Sequence, residues 1–215
     1  MSFSKYALFK YPRTYHLPFS QGISLDDNPL VMESIHELLN NEIVITEKYD
    51  GENTNLYKDY IHSRSLDYKR HWSRDLIKSF HASISSKIPE NLRICGENLV
   101  GVHSIKYTNL PHYFLGFSVW EGDLCYSWDD TLKIFDEVGI KPVRQIYRGK
   151  STLDNLINIA KKIDSTKCEG YVVRVTKKFL LNDFPYCVGK WVSRSFINSN
   201  KNWHCLKPEY NEWVT

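Results

Sequence analysis

Strand-length and helix-length apolar patterns alternate irregularly along this chain, and the irregularity is what most limits its fold. A helix pattern opens at Asn28-Pro29, where asparagine can cap and proline suits the first turn. Leu30, Val31, Ile35, Leu38 and Leu39 make its apolar face. Residues 42–47 and 53–61 read as strands on either side of a turn. Trp72 to Ile88 reads as a second helix with Leu76, Ile77, Phe80 and Ile84 inward, and Leu92 to Glu97 and Tyr113 to Trp120 as strands. Trp128 to Val138 has a helix pattern closed by Gly139. Ser151-x-x-Asp154 opens another, burying Leu153, Leu156, Ile157, Ala160 and Ile163. Gly170 to Val175 and Cys187 to Val192 are the last strands. A strict β-α-β repeat would give a doubly wound parallel sheet; this order predicts an α+β fold instead.

No repeat, low-complexity tract or Gly/Ser linker divides the chain, so the expectation is one domain over residues 1–215. It comprises a lead-in and helix (1–41), a motif-bearing core (42–194) and a tail (195–215). The charge is nearly balanced, 28 Lys+Arg against 25 Asp+Glu, so any anion-binding surface must come from local arrangement rather than net charge. Cys95, Cys125, Cys168, Cys187 and Cys205 are odd in number and never spaced C-x-x-C, which argues for reduced thiols rather than a disulfide frame or zinc site. His62, His71, His81 and His103 likewise lack metal-binding spacing. No run approaches the roughly 20 apolar residues of a membrane span, and the N-terminus has no apolar signal core. The expectation is a cytoplasmic protein with no membrane partner.

One turn carries chemistry. The run Ile43-Val44-Ile45 leads into Glu47-Lys48-Tyr49-Asp50-Gly51, which sets a lysine at the lip of a strand with a carboxylate and a glycine just beyond. A lysine amine attacks only when deprotonated, and its free pKa is about 10.4, so a nucleophilic lysine needs a site that depresses it. K-x-D-G alone recurs by chance in about one chain in twenty of this length. The ordered series behind it is far more specific: Arg64-Ser65, Gly96-Glu97-Asn98, Phe114-Leu115-Gly116-Phe117, Glu169-Gly170-Tyr171 and Val188-Gly189-Lys190-Trp191. Each sets an ionisable or aromatic residue at the mouth of a β-segment, the placement that lets side chains converge on one pocket.

This series resembles the covalent nucleotidyltransferases, the ligases and RNA-capping enzymes, and within them the ATP-dependent RNA ligases. The resemblance covers about residues 42–194, and the lead-in Tyr11-Pro12-Arg13-Thr14-Tyr15-His16-Leu17-Pro18 is similar to that of small single-domain phage-type RNA ligases. It implies an α+β, ATP-grasp-like nucleotidyltransferase domain, with helices flanking antiparallel sheets and the nucleotide between them. It makes Lys48 the amine that takes AMP from ATP. Glu47, Asp50 and Asn53 then fall in the nucleotide-binding loop, and Arg64 holds phosphate. Glu97 reads the ribose, Phe117 stacks on adenine, and Glu169 works through Mg²⁺, with Mn²⁺ as an alternative. Lys190 contacts the α-phosphate. The second lysine usual two residues on is replaced by Val192, which leaves phosphate to Lys190, Arg64 and Arg194.

The implied reaction joins a 5′-phosphate to a 3′-hydroxyl RNA end through a lysyl-AMP, as in RNA repair. An end-healing kinase or phosphatase, or an RNA-binding protein, is the expected partner, and a viral or phage source fits the resemblance. A DNA ligase or capping guanylyltransferase would share Lys48 but carry an oligonucleotide-binding barrel, for which the 25 residues after Lys190 leave no room. A non-catalytic RNA or nucleotide sensor is the rival of another class. Intact Lys48, Glu97, Glu169 and Lys190 argue against it. The segment Arg64 to Lys78, with Lys69, Arg70, His71, Trp72 and Arg74, could track a phosphate backbone.

Overall fold

Residues 8–23, 29–66, 71–194 and 208–214 are described by a computed structural model. In chain order the elements are β1 (Tyr15–His16), α1 (Met32–Leu39), β2 (Ile43–Lys48), β3 (Glu52–Leu56), β4 (Ile61–Ser63), α2 (Ser73–Ile84), β5 (Leu92–Asn98) and β6 (Phe114–Glu121). They continue with β7 (Leu124–Cys125), α3 (Trp128–Val138), β8 (Lys141–Pro142), β9 (Gln145–Gly149), α4 (Leu153–Lys161), β10 (Gly170–Val175), β11 (Phe179–Leu180), α5 (Phe184–Cys187) and β12 (Val188–Val192). One sheet runs β1-β12-β10-β2-β9. The other runs β11-β7-β6-β5-β3-β4, with β8 against β6. All pairings are antiparallel except the two-residue contacts of β1 with β12 and β8 with β6. This is the expected α+β arrangement.

Period-two alternation distributes the side chains of the first sheet. Ile43, Ile45, Tyr171 and Val173 pack with Ile35 and Leu38 of α1 and Leu156 and Ala160 of α4. Tyr171 stacks on Trp191 at 5.7 Å, and its hydroxyl donates to the Leu156 carbonyl at 3.0 Å. Each such fully buried Ile or Leu contributes about 1.5–3 kcal/mol. On the second sheet Ile77 and Ile84 of α2 and Phe135 and Val138 of α3 cover Leu56, Ile94, Phe114 and Val119.

Several element boundaries differ from the sequence reading. Asn28 lies outside the described residues, and Pro29 bridges His16 rather than opening the helix, which starts at Met32 with Val31 exposed. The strand expected over 53–61 is two strands, because Lys58-Asp59 turns the chain and Tyr57 N donates to Tyr60 O at 2.8 Å. Leu76, expected inward, is exposed, since the helix axis points Ile77 and Ile84 at the sheet. Thr152 rather than Ser151 caps α4, its hydroxyl accepting from Asn155 N at 3.2 Å. Cys187 ends a short helix before β12. The helix α3 begins and ends as read: Ser127 Oγ accepts from Asp130 N, and Gly139 closes it at φ 90°, a left-handed conformation that costs glycine nothing.

Candidate active site

The two sheets enclose a cleft of about 300 Å³. On the first sheet Thr46 and Lys48 of β2, Val172 and Arg174 of β10, and Val188 and Lys190 of β12 line it. The register explains the set. Thr46, Val172 and Lys190 form one cross-strand row over β2, β10 and β12, so Lys190 and Lys48 reach the same face of the sheet with β10 between them. On the second sheet Asn53 pairs with Glu97, and Arg64, whose N–H donates to Asn53 O at 3.0 Å, extends the same row. Arg64, Asn53 and Glu97 all line the cleft.

Phe117 reaches the cleft by a β-bulge. Cys95 pairs with Ser118 and Gly96 with Gly116, which leaves Phe117 as the extra residue of β6. A bulge re-aims one side chain and breaks the alternation around it, so Leu115 is buried in core while Phe117 lines the cleft. The ring of Tyr11, from the lead-in, meets it edge-on at 5.3 Å.

The nucleophile candidate sits where β2 ends and the chain must turn. Gly51 is required there, because a Cβ would lie 2.4 Å from Asn98 O and 2.8 Å from the Leu99 side chain. Lys48 Nζ donates to Glu169 Oε2 across the β2–β10 pair. Burial, the strongest single influence on Lys48, acts to lower its pKa, but Glu169, Glu97 and Asp50 together outweigh it and hold the amine above the ordinary lysine value. The protein's own groups therefore do not supply the depressed pKa that a nucleophile needs. Burial pushes Glu97 up to about 8, helped by Glu169 and Asp50 and opposed by Lys48. Glu169 is raised too, by burial first and then by Asp50, with Lys48 and Lys190 pulling against it.

Glu47 lines the cleft, but its carboxylate is engaged with Arg144, whose Nε donates to it at 2.7 Å. Neighbours in a strand face opposite ways, so its carboxylate turns toward Arg144 while Lys48 turns toward Glu169. Asp50 stands behind the turn: its Oδ2 accepts from Ser104 N at 2.7 Å, and its N–H donates to the Tyr107 hydroxyl at 2.9 Å. Arg194 does not line the cleft. Of the basic segment, Lys69 and Arg70 lie outside the described residues, and Arg74 is engaged with Glu52 in a fork. Cys95, Cys125, Cys168 and Cys187 are free and buried; Cys205 lies outside the described residues.

Sequence reasoning missed Arg13, Thr14 and Arg174 as cleft residues. Arg174 had a signal: it is the single charge in the apolar strand Gly170 to Val175, two positions from Val172 and so on the same face. Its Nη2 donates to Tyr126 O at 2.7 Å, and its guanidinium lies 5.4 Å from the Phe179 ring.

Residues 41–192 match the model of the RNA ligase family. The chain belongs to that family. This RNA ligase family member is also similar to solved structures, all at low identity. An archaeal ATP-dependent RNA ligase is 14% identical with a TM-score of 0.58, over 86% of this chain and 48% of that one. A mutant of the Naegleria gruberi RNA ligase with ATP and Mn is 14% identical with a TM-score of 0.55, over 79% and 55%. A putative ATP-dependent DNA ligase from Aquifex aeolicus is 18% identical with a TM-score of 0.55, over 89% and 51%. These likenesses support the nucleotidyltransferase ligase fold, and the chain spans about half the length of these structures. No curated protein matches it. Among the described residues no helix is long and apolar enough to cross a membrane.

Proposed function

We propose that this RNA ligase family chain is an ATP-dependent nucleotidyltransferase that seals RNA ends. The observation that carries the reading is Lys48, set in an inter-sheet cleft against Glu169 and within electrostatic reach of Glu97 and Asp50. In the first step Lys48 Nζ forms a bond to the α-phosphorus of ATP while the bond to pyrophosphate breaks, which leaves lysyl-AMP. A 5′-phosphate oxygen then takes the AMP, breaking the N–P bond. Finally a 3′-hydroxyl attacks the activated 5′-phosphate, forming the phosphodiester and releasing AMP. One pocket serves all three transfers by positioning and charge.

The roles of the lining residues follow from where they stand. Phe117 offers a ring for adenine, Glu97 an acceptor for the ribose hydroxyl, and Lys190, Arg64 and Arg13 donors for phosphate. Among the described residues no group of three or more His, Cys, Asp and Glu side chains is set to hold a metal alone. That fits Mg²⁺ or Mn²⁺ held by Glu169 with the remaining oxygens from nucleotide and water, and such an ion would neutralise phosphate charge. Carboxylates raised by burial first, and then by neighbouring carboxylates, gain from such a cation, and drawing them away from Lys48 would remove what keeps its amine protonated.

The finer reading is repair of broken RNA, working after a kinase or phosphatase has prepared the ends, in the cytoplasm of a cell or its virus. Ends with ribonucleotides on the 3′-hydroxyl side should seal better than all-DNA ends, because a 2′-hydroxyl can donate and accept hydrogen bonds. The deciding experiment incubates the protein with ATP or GTP labelled at the α-phosphate and Mg²⁺ or Mn²⁺, then denatures it. Label from ATP on native protein is expected. No label on native protein, or full label on Lys48→Ala, would overturn the reading.

A further inference from the structure

Asn211 stands far from Lys48 in sequence and outside the stretch matched by the family model, yet it is 2% exposed. Its Nδ2 donates to Leu99 O at 2.9 Å and to Gly101 O at 3.0 Å, and its Oδ1 accepts from Tyr107 N at 2.8 Å. Around it, residues 209–214 are stitched to the loop between β5 and β6 by main-chain bonds: Val102 N to Glu209 O, Asn211 N to Val100 O, Glu212 N to Tyr107 O and Leu110 N to Glu212 O, all 2.9–3.1 Å. One buried side chain thus fixes three points of a loop that has no regular structure of its own.

That loop reaches the nucleophile turn. Tyr107, buried by Asn211's hold on its backbone, packs its ring against Tyr49 at 5.5 Å, and its hydroxyl accepts from Asp50 N at 2.9 Å. Ser104 N donates to Asp50 Oδ2 at 2.7 Å. Both ends of Asp50, main chain and carboxylate, are therefore held by the loop rather than by its own strand. Asp50 in turn bears on the charge of Lys48, Glu97 and Glu169.

We propose that Asn211 and Tyr107 are positioning residues for nucleotidyl transfer: the C-terminal segment locks the β5–β6 loop, and the loop sets Asp50 beside Lys48. A loop of this length left to itself would hold Asp50 in many arrangements, and small misplacements near a reacting nitrogen are costly. The proposal rests on the adenylylation reading above.

Single-turnover labelling with ATP tests it. Tyr107→Phe keeps the ring against Tyr49 and removes only the acceptor for the Asp50 N–H. It should slow labelling about ten-fold at saturating ATP with little change in KM or melting temperature. In an Asp50→Ala background the same change should add nothing, because the group being positioned is gone. Asn211→Ala should slow labelling similarly, and circular dichroism reports whether it folds. Labelling by Tyr107→Phe at the native rate, or an equal fractional loss in the Asp50→Ala background, would overturn the relay while leaving the adenylylation reading intact. A native protein that takes no label would remove both.

Discussion

Two ion pairs in this molecule look alike and behave differently. Lys48–Glu169 and Arg74–Glu52 each join neighbouring elements, and their side chains are similarly shielded, 25% and 12% exposed against 17% and 12%. Burial therefore does not distinguish them. What does is the balance of charge and geometry. Arg74 Nε lies 2.8 and 3.1 Å from the two Glu52 oxygens, a fork in which donors and acceptors match. Lys48 is one cation facing Glu169, Glu97 and Asp50. The first pair is complete; in the second, one amine is shared among several carboxyl groups, inside a cleft that Lys190, Arg64 and Arg174 also line. Matched pairs hold a fold, and a charge shared among several partners at the end of a strand marks a place that does work.

The comparison can be broken at several points. The largest effect is expected at Lys48→Ala, which should abolish protein adenylylation while circular dichroism stays native. Lys48→Arg should fail too, since a guanidinium stays protonated. Glu169→Gln keeps the shape of the pair but removes its charge; labelling with Mg²⁺ should drop about 100-fold, with melting unchanged. Arg74→Ala should do the opposite, leaving single-turnover labelling near native but costing about 1–3 kcal/mol in urea unfolding by orphaning Glu52. If Arg74→Ala lost labelling instead, the distinction between the pairs would collapse.

A pH series sharpens it. Glu97 stands near 8 in the fold against 4.5 when free, so between those values the native state keeps a proton that the unfolded chain has released. Native stability should then fall as pH rises from about 4.5 to about 8 and level off above. Glu97→Gln should remove that part of the slope in thermal melts. The smallest effect is expected at Arg144→Ala: this arginine is 66% exposed, so its pair with Glu47 should contribute under about 1 kcal/mol, and labelling should be unaffected.

Local chemistry carried much of this in the sequence. The apolar run before Lys48, the turn glycine at 51, the Gly139 end of α3 and the strand Gly170 to Val175 were legible because each depends on neighbours a few residues away. The ordered series from Lys48 to Lys190 was legible for the same reason, since each member sits in or beside its own strand. Only tertiary structure could decide the rest. Whether Phe117 faced core or cleft turned on a bulge against β5, which alternation cannot reveal. The carboxylate of Glu47 is engaged by Arg144, a partner 97 residues away. Lys48 gained its burden of carboxylates from β5 and β10, and Asp50 its anchors from a loop that the C-terminal segment holds. Sequence determines which group stands at each strand end; the charge it feels and the direction it faces are set by long-range pairing, because Coulomb interactions and register depend on what the fold brings within a few ångströms.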